Sequence, residues 1–382
     1  MTPLRPARSG DVAAGPRHRL VRRVAIGLAG LLVVLTGTAY GAYRYYNGKV
    51  TRIPVTSLRP SAVDTGAYFL IAGSDTRAIS DGASFQSTTA GTAVTGQRSD
   101  TVILVHIPAG SAKATLVSFP RDSYVEIPAY TDSAGVTTAA HYAKLNEAYS
   151  LGGADLLVKT VENLSGLPVD HYLQVNFDGF RKIVDAVGGV SLCVGTTRND
   201  KDSGDYLTAG THPNVSGAQA LAFVRDRKGL AAGDLARIAD QQYFLSQVMK
   251  KVLAAGTLAN PVRLTSLLSA TTEALTVDKG FGLSQFRTLA SKLRSLDPSH
   301  VTFVTLPVTT AGGSRVIHGI PQSVVLLDQA KLAQAFELVA GKAPAAPATR
   351  PPTSSPTSSP TSPPGGVPAV QSTSAAATTC AV

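Results

Sequence analysis

The sequence predicts an α/β protein. It would be a mixed central β-sheet with helices on both faces (three-layer α/β/α), preceded by one N-terminal transmembrane helix. Three observations predict it. Short apolar runs at residues 68–72, 102–107, 114–119, 170–175, 190–194 and 301–307 alternate with helical patterns along one continuous chain, which argues for a mixed or mostly parallel sheet covered on both sides. Hydrophobic residues make up 44% of the chain and charged ones only 16%, so apolar side chains suffice for a large core. Residues 24–43 are twenty positions without a charge, the length that crosses a bilayer as a helix.

From the N-terminus, residues 1–23 are rich in Arg and Pro and read as a disordered, basic cytoplasmic tail. Arg17, Arg19, Arg22 and Arg23 directly precede the apolar run, and positive charge on that side keeps the N-terminus in the cytoplasm. Tyr40, Tyr43, Tyr45 and Tyr46 suit the far interface, so the transmembrane helix is predicted over 24–46. A cleaved secretory signal is the alternative, with an apolar region long for one. In both cases residues 50–382 lie outside the cytoplasmic membrane, which argues against ATP- or nicotinamide-dependent chemistry. The formal net charge is +10, but residues 1–49 carry eight Lys/Arg against one acid and hold +7 of it. The basic pI is therefore a property of the tail. No recognition-helix pattern occurs in residues 1–23, and nucleic acid is not an expected partner.

Residues 47–62 are predicted as a stalk, and 63–342 as one domain without composition break or repeat. Within it, helical patterns cover 145–149, 154–164, 180–187, 235–254, 264–275, 283–296 and 323–338. Gly166 and Pro168 stop the second, and Gly188-Gly189 the third. Residues 80–97 and 128–141 read as loops. Residues 343–382 carry nine Pro among Ser, Thr and Ala, a low-complexity disordered tail with nothing apolar to fold around. Cys193 and Cys380 have no zinc spacing. They are a bridge in an oxidising compartment or two free thiols.

The chemistry concentrates in residues 216–252. Arg225 and Arg227 are two apart, which in an extended segment puts both side chains on one face. Asp234 follows a Gly and opens a helical pattern as its N-cap. Leu235, Ile238, Leu245, Val248, Met249 and Val252 then form an apolar stripe. Arg237 and Gln241, one turn apart, lie on another face of its first two turns. A helix start offers free N–H groups and partial positive charge, so these four residues could clamp a phosphate or pyrophosphate. A solvated basic face with intrahelical ion pairs explains them as well. Asp75 and Asp100 flank apolar strands and are a reasonable Mg²⁺ pair, or else ordinary turn residues. Pro120-Arg121-Asp122 ends another strand. Together with Arg77, these are many of the charges of a charge-poor chain, and all fall at element ends, where such sheets build sites.

The ordered motifs IAGSDTR (71–77), RSDTVILVHI (98–107), SFPRDSYVEIP (118–128), KLNEAY (144–149), the stretch 152–180, IVDAVGGV (183–190), GAQALAFVRDR (217–227) and GDLARIADQQYF (233–244) resemble the LytR-CpsA-Psr family of cell-envelope proteins. The resemblance implies an extracytoplasmic catalytic domain over 63–342. It implies a phosphotransferase that moves a glycopolymer from a polyprenyl-pyrophosphate carrier onto peptidoglycan and releases polyprenyl phosphate. It further implies Mg²⁺ on Asp75 and Asp100, and the pyrophosphate on Arg121, Arg225, Arg227, Arg237 and Gln241, with Arg121 and the nearby Arg77 as catalytic residues. Asp234 is the expected base for the acceptor hydroxyl, and Asp122 orients an arginine in the binding set. The prenyl chain would lie among the Leu, Val, Ile and Phe of 172–190 and 235–252, which core packing explains equally well. The expected setting is a single-pass membrane protein with its domain outside the cell. A non-catalytic carrier of the same lipid, or a pyrophosphatase using water, would need the same clamp. The long Ser/Thr/Gly loop between Asp75 and Asp100 must fold back for the metal pair to form.

Overall fold

The computed structural model describes residues 41, 44–59, 66–74, 99–132, 134–226, 234–253, 261–341, 372–374 and 380–381. The chain divides into two compact units, Met1–Gly48 and Lys49–Val382. In the first, residues 41 and 44–48 are helical. The expected transmembrane segment lies mostly outside the described residues. Among the described residues, no helix is long and apolar enough to cross a membrane.

The second unit is built on an eight-stranded sheet. Its strands are, across the sheet, β1 (Thr51–Ile53), β12 (Leu275–Asp278), β9 (His171–Asn176), β2 (Gly66–Ser74), β3 (Ser99–Pro108), β4 (Ala114–Phe119), β13 (Val301–Thr305) and β16 (Ser372–Ser374). Parallel pairs (β1 with β12, β9 with β2, β4 with β13) mix with antiparallel ones, so the sheet is mixed as expected. Side chains alternate across it with period two. In β2, Ala67 and Phe69 enter one core and Leu70 and Ala72 the other. In β4, Ala114 and Leu116 enter the first, Val117 and Phe119 the second.

Helices cover both faces. On one lie α1 (Leu145–Ser165) and α7 (Gln329–Val339), through Leu156, Leu157, Val161, Leu332, Phe336 and Val339. On the other lie α4 (Asp234–Leu253) and α6 (Leu283–Ser295), through Leu245, Met249, Phe286, Leu289 and Leu293. A third cluster joins α4 to α2 (Phe177–Ala186), α3 (Gly217–Arg225) and the antiparallel pair β10 (Val190–Val194) and β11 (Gly210–Val215). Helix α5 (Pro261–Ala274) packs beside α2, where Gly179 lies so close that a Cβ would meet Ala274 at 2.7 Å. Hairpins β5 (Tyr124–Ile127) with β8 (His141–Lys144), β6 (Tyr130–Thr131) with β7 (Thr137–Thr138), and β14 (Val308–Ile317) with β15 (Ile320–Leu327) complete the unit.

The two helical patterns at 145–149 and 154–164 stand: α1 is two runs separated by a kink where Gly152 and Gly153 leave helical angles, and Gly153 has φ +64°, which glycine tolerates without strain. Other expectations change. Residues 51–53, expected as stalk, add a strand to the sheet, and Thr56 and Ser57 donate backbone N–H groups to Asp155 at 2.7 and 2.9 Å. Residues 323–327 are strand and not helix, because they pair with β14. The tail is not wholly without structure. Ser372–Ser374 pairs with β13, Cys380 forms a disulfide with Cys193, and Ala381 is buried against β10.

Candidate active site

The strand ends assemble the site. β2 runs out at Ser74, which pairs with Ser99 at the start of β3, while Gly73 sits opposite both Thr101 and Val175. Phe119 at the end of β4 pairs with Val102. One edge of the sheet therefore gathers the residue before Asp75, Asp100, the Arg121-Asp122 turn and Asn176. The register pairs Ser74 with Ser99, the described residues that flank 75–98. Asp75, Arg77 and Arg227 themselves lie outside the described residues. Gln174 holds this edge: its Nε2 donates to Ser74 Oγ at 2.9 Å, and its Oε1 accepts from the hydroxyls of Tyr149 and Tyr172 at 2.8 and 3.1 Å.

A cavity of about 880 Å³ opens at this edge between the sheet and α2, α3 and α4. Its walls include Ile71, Ile103, Val175, Phe177, Phe180 and Leu245, and its polar side Asp100, Arg121, Arg225, Arg237 and Gln241. The size is within the range of ligand sites.

Arg121 is the hub of the polar side. Its side chain is only 14% exposed. Its Nη1 donates to Asp100 Oδ1, its Nε lies 3.4 Å from Asp122 Oδ2 and 3.9 Å from Asp234 Oδ1. Burial by itself would lower the guanidinium's pKa. Asp100, Asp122 and Asp234 outweigh burial and raise it, so it stays a cation. Asp122 also meets Lys144 Nζ at 3.6 Å. Asp234 opens α4 within its first turn and does not act as a side-chain N-cap; its Oδ1 meets Arg237 Nη2 at 2.5 Å instead. It thus joins Arg121 to Arg237.

Arg225 reaches the cavity differently from the expectation. It is not in an extended segment: it is the last residue of α3, with its guanidinium 4.7 Å from the centroid of Phe177. The helix forms because Ser216 and Gln219 make a capping box and Ala220, Phe223 and Val224 bury one side. Gln241 Nε2 donates to Val224 O at 3.2 Å, tying α4 to α3.

Two residues absent from the expectation hold these helices. Arg198 is buried and bonds Asp226, which follows Arg225, at 3.3 Å and Asp240 of α4 at 2.9 Å. Burial pushes the Asp240 carboxyl up to about 7, against the opposing pull of Arg198. Gln242 is also buried and donates to Ser118 Oγ at 3.1 Å and Thr305 Oγ1 at 3.0 Å, fastening α4 to the ends of β4 and β13. Doubled Gln at 241–242 was a signal for the latter; nothing local marked Arg198.

Asp100 is a hard oxygen donor at the cavity's polar side, with its carboxylate 35% exposed. A site of one or two carboxylates that leaves room for phosphate oxygens is what Mg²⁺ uses, so the donor chemistry fits a magnesium ion. Among the described residues no group of three or more His, Cys, Asp or Glu could hold a metal by itself.

Fold and site together define a mixed-sheet α/β protein with an arginine-sided, apolar-walled cavity at its strand ends. The chain belongs to the LytR_cpsA_psr family, whose model matches residues 36–339. It is 30% identical over 359 residues to the cell wall biosynthesis protein LcpA of Corynebacterium glutamicum, covering 86% of this chain and 67% of that one. It is 37% identical over 157 residues to the polyisoprenyl-teichoic acid–peptidoglycan teichoic acid transferase TagU of Bacillus anthracis, covering 40% of this chain and 47% of that one. Its fold is shared with the LytR-Csp2A-Psr enzyme from Actinomyces oris: TM-score 0.56 and 24% identity, over 78% of this chain and 97% of that one.

Proposed function

We propose that this chain transfers a glycopolymer from a polyprenyl-pyrophosphate carrier to peptidoglycan, forming a phosphodiester and releasing polyprenyl phosphate. The observation that carries the reading is the cavity itself. It joins apolar walls to a polar side that carries Arg121, Arg225 and Arg237, which suits a molecule that is hydrocarbon at one end and pyrophosphate at the other. Each methylene buried there contributes about 0.8 kcal/mol, and guanidinium groups bind phosphate oxygens in pairs. The name of the relative TagU, a polyisoprenyl-teichoic acid–peptidoglycan teichoic acid transferase, supports donor and acceptor of these kinds.

Arg121, Arg225 and Arg237, with Gln241, hold the two phosphates and offset the charge that develops on them; Arg77 and Arg227 join them. The acceptor hydroxyl attacks the phosphorus next to the glycan, its proton passes to Asp234, and the bond to the polyprenyl phosphate oxygen breaks. Asp122 keeps Arg121 oriented. Mg²⁺, when bound by Asp75 and Asp100, supplies Lewis-acid charge neutralisation. The helix proposed over 24–46 anchors the protein with this domain outside the cell, beside the leaflet that retains the lipid product.

The test is mass spectrometry of lipid carried by the full-length protein in detergent, together with transfer to a peptidoglycan acceptor. The wild type retains a polyprenyl phosphate or pyrophosphate and Arg225→Ala loses it. Asp234→Asn retains it and transfers at least about a hundredfold more slowly, the usual scale of a proton-transfer residue. A wild type that neither carries nor takes up prenyl pyrophosphate overturns the reading. Lipid retention with release of phosphate to water alone means a pyrophosphatase, and retention without turnover means a carrier.

A further inference from the structure

Six large apolar or aromatic side chains are more than half exposed among the described residues, and one of them, Tyr142, lies on β8 next to Tyr124. Tyr124 is two residues beyond Asp122 on β5. In the β5–β8 register Tyr124 faces Lys144 and Glu126 faces Tyr142, so these four side chains share the outer face while Val125, Ile127 and Ala143 are buried beneath. The rings of Tyr124 and Tyr142 lie 5.4 Å apart with planes tilted by 32°. The β14–β15 tip closes one side: the Arg315 guanidinium is 5.8 Å from the Tyr124 ring, and His318 is 3.1 Å from Glu147 and its ring 6.0 Å from that of His141.

This face is continuous with the active site but is no part of the cavity. Asp100 and Arg121 line the cavity. Asp122 and Lys144 carry the polar contacts onward from the Nε side of Arg121 to Tyr124. The position matters for the reaction. In phosphoryl transfer, attacking and leaving oxygens lie roughly in line. If the leaving lipid phosphate fills the apolar cavity, the attacking group must come from beyond the arginines.

We propose that the face formed by Tyr124, Tyr142, Arg315, Glu126 and Lys144 is the subsite for the saccharide acceptor, an N-acetylated amino-sugar strand. This rests on the transferase reading. The chemistry matches that ligand. Pyranose rings present an apolar C–H face that packs on tyrosine rings, and an equatorial rim of hydroxyl and acetamide groups that hydrogen-bonds with guanidinium, ammonium and carboxylate. Tyrosines also place this contact area at small entropic cost. The strand would lie across the tyrosines with one hydroxyl directed toward Asp122 and Arg121.

Titration of the full-length protein in detergent with a β-1,4-linked tetramer of N-acetylglucosamine, followed by calorimetry and saturation-transfer NMR, tests it. Wild type binds. Tyr142→Ala and Arg315→Ala, both exposed positions, each weaken binding by about tenfold or more. Tyr206→Ala, an equally exposed tyrosine elsewhere, does not. Tyr142→Ala keeps the retained polyprenyl lipid, so the donor side is scored separately: loss of donor binding in the Arg225→Ala test concerns the transferase reading, and tetramer binding concerns this face alone. A wild type that does not bind the tetramer, or binding indifferent to Tyr142 and Arg315, overturns the proposal. So does Tyr142-dependent binding to phosphatidylglycerol vesicles in place of the sugar, which would make the face a membrane contact.

Discussion

Arg198 bridges the residue after α3 to helix α4, and these two helices carry Arg225, Arg237 and Gln241. It is buried with Asp226 and Asp240, and Phe223 lies 5.5 Å beneath its guanidinium. Removing one partner of a buried pair leaves the other charges uncompensated, at a cost of about 3–5 kcal/mol. Arg198→Met should therefore lower the unfolding midpoint, and Arg198→Lys should recover part of it. The pH dependence has a definite sign. Asp240 already titrates well above its ordinary 3.8. A carboxyl raised in the fold supports the folded state below its unfolded pKa and loses that support as pH rises through the folded value, about 7 here. The deficit of Arg198→Met is then smallest near pH 4 and grows toward pH 8. Melting curves across that range would show it, and a pH-independent deficit would mean packing and not charge.

At the scale of elements, α3 decides where Arg225 points. An Arg-x-Arg pair fits an extended segment as well as a helix end, and spacing does not separate them. The Ser216–Gln219 capping box was the readable signal for the helix. Close packing then fixes its position: a Cβ on Gly217 would lie 2.3 Å from Arg181 O. Gly217→Ala should displace α3 from α2 and move Arg225, so lipid retention falls while circular dichroism keeps its helix signal. Unchanged retention would place the control of Arg225 elsewhere. Two of the strands missed from sequence have a common cause. Leu275–Asp278 and Ile320–Leu327 are short apolar runs adjoining helical patterns, and periodicity alone cannot tell such runs from helix. Their pairing with β9 and β14 settles them.

For the whole molecule, the C-terminal segment is part of the fold. The Cys193–Cys380 bridge spans 187 residues, and Ala381 exchanges backbone hydrogen bonds with Cys193 and Gly195 at 2.9 and 2.8 Å. The cluster behind this seam holds Phe244, Leu221 and Val248, and these also line the cavity. A bridge closing so long a loop contributes about 2–4 kcal/mol by restricting the unfolded chain. Cys380→Ser should lower the unfolding midpoint of the oxidised protein to that of the reduced wild type. Peptide mapping without reductant should find the 193–380 pair, and free thiols at both positions would refute it.

By itself the sequence determined the mixed α/β class, the strands whose alternating apolar residues fill both sides of the sheet, and the arginine, aspartate and glutamine residues that line the cavity. Those properties are local: period, capping and charge type are written within a few residues. Tertiary structure alone decided the rest. Arg121 gathers Asp100, Asp122 and Asp234; Arg198 links α3 to α4; Gln242 fastens α4 to the sheet; and the segments 51–53, 372–374 and 380–381 join the unit. Each of these joins residues far apart in the chain. Which charge is buried beside which depends on strand order and helix packing, and no local pattern encodes either.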